Sequence, residues 1–280
     1  MRTHKLLAIA VAAIAATTVL TACGANTNAT TTTASSGGIT TLTIGASPTP
    51  HAVILQYVQD NLAAAHGLNI KIVQYSDYVL PNKALQDGTL NGNYFQHLPY
   101  LESQEQQFGY KFYAFPGVHI EPLGVYSKKV TSLADVPNGG LVGVPNDPAN
   151  EGRALKLLAA QGLITLKDTG SDDATLLDIA TNPKNLKFQE IAAEQLTRSL
   201  PDLDLAVING NYAIEAGLNP AKDALALESG TNNPYANMLV VREADKDNPA
   251  LVELNALLHS DQVKQFILKT WPNGAVIPAF

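Results

Sequence analysis

The chain has 280 residues, of which 18 are Lys or Arg and 25 Asp or Glu, giving a net charge of −7 at pH 7. This acidic balance argues against a nucleic-acid partner, which needs clustered cations to bind phosphate. A single cysteine excludes an internal disulfide and a Cys-based zinc site, while a hydrophobic content of 46% is ample for a packed core in one large domain or two small ones.

The chain opens with a short basic stretch, Arg2, His4 and Lys5, followed by an apolar run from Leu6 to Leu20. That run is shorter than the roughly 20 residues a membrane-spanning helix needs, and the combination reads as a secretion signal over residues 1–22. It ends in Leu20-Thr21-Ala22-Cys23, which resembles a bacterial lipobox, and this makes Cys23 the expected lipidation site and first mature residue. Removing residues 1–22 takes away Arg2 and Lys5 and no acid, so the charge of −7 becomes −9. The following "GANTNATTTTASSGG" is small and polar and reads, with Cys23, as a flexible tether over residues 23–38.

From residue 41 short apolar runs alternate with longer amphipathic ones. "TLTIGAS" predicts a strand, and "PHAVILQYVQDNLAAAHG" a helix opened by Pro50 and stopped by Gly67. "NIKIVQY" predicts a strand, "PNKALQDG" a short helix, "GNYFQ" a strand and "LPYLESQEQQFG" a helix, with "KFYAFPG" and "EPLGVYS" as further strands. After the turn-rich "KKVTSLADVPNGG" the alternation restarts. "LVGVPN", "LKFQEI" and "LDLAVIN" read as strands, and "PANEGRALKLLAAQG", "AAEQLTRSL" and "GNYAIEAG" as helices. The strand "NMLVVRE" and the helices "NPALVELNALLHS" and "DQVKQFILKTW" complete the chain. Such βα alternation implies largely parallel sheets covered by helices. Two units joined by two crossings predict two α/β lobes with a cleft between them, a preferred place for a small-molecule site.

The motifs of common enzymes, G-x-S-x-G, H-E-x-x-H, Walker A and G-x-G-x-x-G, do not occur. Three constellations could carry chemistry. His119 and Glu121 alternate on a strand and share a face; with His97 they would make a two-histidine, one-carboxylate metal set, or they are a polar pair, or they bind an organic ligand. In "NDPANEGRALKLL", Asp147 to Asn150 supply capping chemistry and Arg153 lies within reach of the helix mouth, a receptor for a carboxylate if it is not simply a capped helix. Asn209, Asn211, Tyr235 and Asn237 sit at strand ends and crossings, where amides suit the polar groups of an amino acid or serve as turn residues.

Taken together, "SPTPHAVIL", "SDYVLPNKALQDG", "NYFQHLPYL", "VHIEPLGVYSKK", "VPNDPANEGRALKLL", "AVINGNYAIEAGLNPAKDALALE", "NPYANMLVVR" and "GAVIPAF" resemble, in order over residues 41–280, the NlpA/MetQ family of methionine-binding lipoproteins. The resemblance implies a two-lobed type II periplasmic-binding-protein fold of the α/β class, with lobe 1 from residues 39–129 and 232–280 and lobe 2 from 130–231. It implies an extracytoplasmic, lipid-anchored, monomeric binding protein without cofactor or enzymatic activity, serving an ABC permease and its ATPase. The ligand-binding residues it implies are Tyr78, Phe95, His97 and Tyr100 around a thioether, with His119, Glu121, Asn150, Arg153, Asn209 and Asn237 around the polar end. A methionine-containing dipeptide, another amino acid, or metal-dependent hydrolysis on His97, His119 and Glu121 are the alternatives.

Overall fold

The computed structural model describes residues 38–168 and 174–280; the expected signal segment, Cys23 and the tether up to residue 37 lie outside these. Strands β1 (Thr40–Ala46), β2 (Leu68–Gln74) and β3 (Gly92–His97) form a parallel trio with β1 in the middle. Helix α1 (Val53–Asn61) links the first two and buries Ile54, Leu55 and Val58. Pro50 does not open this helix. Thr49 is extended (φ −143°, ψ 143°), so Pro48–Ala52 make a separate turn that carries His51 inward, and the helix starts only at Val53. It also ends before the expected stop: a turn of 3₁₀ helix over Ala63–His66 leads to Gly67 at φ 68°, a left-handed conformation open to glycine without a Cβ clash.

Helices α2 (Leu80–Gln86) and α3 (Leu98–Phe108) flank β3, and β4 (Phe112–Ile120) leads to β5 (Gly124–Tyr126). Then follow β6 (Leu141–Pro145), α4 (Pro148–Ala160), the small pair β7 (Thr165–Leu166) and β8 (Ile179–Thr181), β9 (Lys187–Ile191), α5 (Leu196–Ser199) and β10 (Leu205–Ile208). The chain continues through α6 (Gly210–Glu215), α7 (Pro220–Asp223), β11 (Ala226–Leu227) and β12 (Asn237–Arg242) to α8 (Pro249–Leu258), α9 (Asp261–Thr270) and β13 (Ile277–Pro278). Helices α8 and α9 bury Leu251, Leu254, Leu258, Val263 and Ile267 in the same core as α1. Among the described residues no helix is long and apolar enough to cross a membrane.

The strands form two main sheets, ordered β13-β4-β12-β3-β1-β2 and β11-β5-β10-β6-β9. Each contains a parallel trio (β3-β1-β2 and β10-β6-β9) whose first strand lies between the other two. The sheets are nevertheless mixed rather than largely parallel. The strand that arrives from the other sheet, β12 in one case and β5 in the other, enters antiparallel beside the trio. The register explains why: Asn237 pairs with His97 and Gly124 with Ile208, so both crossings occur at the carboxyl ends of the parallel strands. In open α/β sheets that end, where strand order reverses, is where ligands bind.

Candidate functional site

Between the two sets of strand ends lies a tight pocket lined by Tyr78, Phe95, His97, Tyr100, Glu121, Arg153, Asn209, Asn211 and Asn237, with Gln96 and Gly210 completing it. Its apolar side comes from the first sheet. Phe95 and His97 alternate on β3, Tyr100 sits in the first turn of α3, and Tyr78 precedes α2, where Asp77 accepts from the amides of Val79 and Leu80. The rings of Tyr78, Phe95 and Tyr100 lie 5.7–6.0 Å apart, in tilted or edge-on contact. Burial raises the phenols of Tyr78 and Tyr100, so both stay protonated; Tyr78 Oη donates to Asn211 Oδ1 at 2.6 Å and Tyr100 Oη to the carbonyl of Tyr78 at 2.9 Å.

His97 is a joint rather than a ring facing the pocket alone. Its Nδ1 accepts from the Tyr100 amide at 3.2 Å, which places the proton on Nε2, 3.1 Å from Asn150 Oδ1. The same oxygen accepts from Asn209 Nδ2 at 2.9 Å, while Asn150 Nδ2 donates to the Asp147 carboxylate at 3.0 Å. Asn150 therefore stands behind the pocket wall and ties β3, α4 and the end of β10 together. Burial, helped by the nearby Arg153 charge, lowers the His97 pKa to about 3, so the ring is neutral at physiological pH. Of the two readings the sequence left open for this helix mouth, the structure shows the capped helix: Asp147 accepts from the Asn150 amide at 2.9 Å.

Arg153 points inward from α4 with 4% of its surface exposed. It donates Nε to Glu228 Oε1 at 2.9 Å and Nη2 to both Glu228 Oε2 and the Glu121 carbonyl, and it stacks over Tyr235 at 4.2 Å from the ring centre. Burial alone would raise the Glu228 carboxyl, but its hydrogen bonds with Arg153 and the guanidinium charge outweigh that and hold it below the ordinary value. Glu228, in the turn-rich stretch before the second crossing, carries no local sequence signal; the demand of a buried arginine for a carboxylate is the only hint.

Glu121 follows β4 directly and is 5% exposed. His119 Nε2 lies 2.7 Å and His51 Nε2 3.2 Å from its Oε1, and the backbone N–H of Asn211 also donates to it. The close approach of α6 depends on Gly210, since a Cβ there would fall 2.7 Å from Glu121 Cβ. Burial raises the Glu121 carboxyl, opposed by His51, Arg153 and the Asn211 amide. Burial also lowers His51 to about 4 and His119 to about 3. His119, wholly buried, therefore stands behind Glu121 rather than in the pocket wall, its Nδ1 accepting from Tyr94 Oη. The triad of His97, His119 and Glu121 is not assembled, because His97 is committed to Asn150 and Tyr100. The histidine that joins the pair is His51, its ligand atom within 4.8 Å of theirs. Sequence reasoning missed His51 because it placed "PHA" in a helix.

Residues 42–280 match the family model described as NlpA lipoprotein. The chain is 42% identical over 264 residues to the methionine-binding lipoprotein MetQ of Bacillus subtilis, covering 93% of each. It is 45% identical over 213 residues to the D-methionine-binding lipoprotein MetQ of Escherichia coli, covering 75% of this chain and 78% of the relative. The structure of a nutrient binding protein from Burkholderia cenocepacia bound to methionine is similar at a TM-score of 0.82 and 49% identity, covering 85% of this chain and 100% of the other. The chain belongs to the NlpA lipoprotein family.

Proposed function

We propose that this chain is the extracytoplasmic substrate-binding lipoprotein of an ABC importer, which captures methionine by closure of two lobes and delivers it to the permease and its ATPase. Lobe 1 is residues 39–129 with 232–280 and lobe 2 is residues 130–231; the monomer is tethered to the cell membrane through a lipid on Cys23. The observation that carries this reading is the pocket itself, with a buried cation and a buried carboxylate beside three aromatic rings, in a chain similar to relatives named methionine-binding lipoproteins.

In this reading the ligand carboxylate meets Arg153, its ammonium group meets Glu121 with the amide oxygens of Asn209 and Asn237, and its thioether lies among Tyr78, Phe95 and Tyr100. Asn209 Oδ1 and Asn211 Nδ2 are buried without a protein partner, an acceptor and a donor suited to a zwitterion. A polarisable, unbranched thioether gains about 0.3–1.5 kcal/mol per sulfur–aromatic contact, which a leucine or glutamine side chain does not. His97, His119 and Asn150 orient these groups from behind. A ligand touching both lobes favours the closed form by its differential affinity. Binding, with no chemical conversion of the ligand, is the whole task.

Calorimetric titration of the purified protein, unfolded and refolded to strip bound ligand, tests the reading with L-methionine, D-methionine, a methionyl dipeptide, leucine and glutamine. Saturable binding of methionine and not of leucine or glutamine is expected. Binding of the dipeptide alone would replace the cargo, and no binding by either methionine enantiomer would reject it.

A further inference from the structure

His51 lies outside the pocket lining, and with His119, which orients Glu121 from behind, it is among the most deeply buried polar groups of the described residues. His51 is 1% exposed, His119 is fully buried, and both direct Nε2 at the same carboxylate oxygen. Each ring is fixed from its far side or by a shared bond. His119 Nε2 faces the Glu121 carboxylate, an acceptor, so the His119 proton sits on Nε2 and its Nδ1 is left to accept from Tyr94 Oη. His51 Nε2 lies 3.0 Å from Asn237 Oδ1 as well as 3.2 Å from Glu121, two acceptors that require a proton on Nε2; its Nδ1 is buried without a partner, where a second proton would be unsatisfied.

The groups that face the Glu121 side chain are thus His51 from the turn after β1, His119 from β4, Tyr94 behind it on β3, and the amide of Asn211 from α6. Arg153 of α4 contacts the Glu121 backbone carbonyl instead, and its charge is matched by Glu228. We infer that His51 and His119 are positioning residues for ligand recognition: as neutral donors they hold the Glu121 carboxylate in place at the pocket floor without neutralising it, so that its charge stays available to the ammonium group of the ligand. This rests on the reading that Glu121 receives that ammonium group. The physical reason is that dipoles stabilise a buried anion while leaving its net charge intact, whereas a cationic partner would cancel it. The low values of about 4 for His51 and about 3 for His119 agree with neutral rings; burial raises the Glu121 carboxyl, and the surrounding donors and the Arg153 charge act against that rise.

The test compares L-methionine with 4-(methylsulfanyl)butanoate, which keeps the carboxylate and thioether and lacks the amine, by calorimetric titration of the ligand-stripped protein. His51→Leu and His119→Leu should each weaken L-methionine binding by roughly tenfold or more, while the des-amino analogue changes by less than about threefold. His51→Gln and His119→Gln, which keep an N–H donor near the position of Nε2, should restore most of the lost affinity. Equal losses for both ligands, or no loss for either, would overturn the inference while leaving the function intact. Glu121→Gln separates the two levels: if it leaves the preference for L-methionine over the analogue unchanged, the ammonium assignment fails and the inference with it. Should a leucine variant not fold, ¹⁵N NMR of the wild-type protein decides instead. Both imidazoles should show the neutral Nε2–H tautomer from about pH 5 to 8, with and without L-methionine, and a doubly protonated ring at neutral pH would contradict the proposal.

Discussion

Arg153 and Glu121 line one pocket and are almost equally buried, at 4% and 5% exposure, yet they are stabilised in opposite ways. Arg153 has a full counter-charge in Glu228, held by two hydrogen bonds, and a stacking partner in Tyr235. Glu121 has two imidazole N–H groups and a backbone amide, and no cation on its carboxylate among the described residues. A paired charge is at ease before a ligand arrives; a charge whose direct contacts are dipoles, with Arg153 acting on it only at a distance, is less so. The first arrangement favours the stability of the empty protein; in the proposed reading, the second leaves charge available to a ligand.

The largest expected effect follows from breaking the paired side. Arg153→Ala removes the proposed carboxylate contact and leaves the partly buried Glu228 without its partner, so unfolding should become easier by about 3 kcal/mol, the low end for a buried pair, as measured by denaturant titration. Methionine binding should weaken in the same variant by at least about 1.5–3 kcal/mol. Unchanged affinity would take Arg153 out of the recognition scheme.

The two neutral isosteres sharpen the contrast, because their effects should cross. Glu228→Gln is expected to destabilise the ligand-free protein by about 1–3 kcal/mol and to affect methionine binding less than Glu121→Gln does. Glu121→Gln should cost less stability, within about 1 kcal/mol, because the desolvation of the charge is relieved. If both variants lost stability and affinity in the same proportion, the two charges would not differ in the way described.

The pH dependence of ligand-free stability carries the same contrast. Glu228 is held below the ordinary glutamate value, so its contribution is present above the unfolded value of about 4.3 and is lost as pH falls through the folded one. Glu121 is raised by burial, so its ionisation costs stability at neutral pH, and that cost is relieved as pH falls through its folded value. Melting curves across the acid range should therefore be flatter for Glu228→Gln than for the wild type, and steeper for Glu121→Gln.

The smallest expected effect is at the aromatic wall. Phe95→Leu keeps the site apolar but removes a ring, and should weaken methionine by about 0.3–1.5 kcal/mol while changing its sulfur-free analogue norleucine less. Parallel titrations measure the difference.

What could be read in the sequence follows from the range over which each feature is encoded. Helix α4 announces itself within a few residues, with Asp147 as cap, Pro148 in the first turn and Glu151 after them. The apolar runs of β1, β6 and β10 are equally local. The two-residue strands β11 and β13 have no such pattern, since their pairing is set by the neighbour they reach. The mixed sheets were missed for a related reason: the direction of β12 is dictated by where the chain crosses, which nothing within "NMLVVRE" records.

At the site, the pocket-lining tyrosines, His97, Glu121 and Arg153 were legible through family motifs, as were Asn150 and His119 behind them, but Glu228 and His51 were not. Arg153 meets Glu228 across 75 positions and His51 meets Asn237 across 186. Contacts over such separations leave no mark in the local pattern of either segment. Reading "PHA" as helix hid the inward-facing His51, and reading Arg153 as a companion of its own helix mouth hid the demand for Glu228.

Thermal unfolding of the ligand-stripped protein with and without L-methionine tests the central claim most directly, with leucine and glutamine as controls. A ligand present at 1,000 times its dissociation constant stabilises the native state by about 4 kcal/mol, which moves the melting temperature by several degrees. The account predicts that shift for L-methionine and none for leucine or glutamine; an unmoved transition at saturating L-methionine would contradict it.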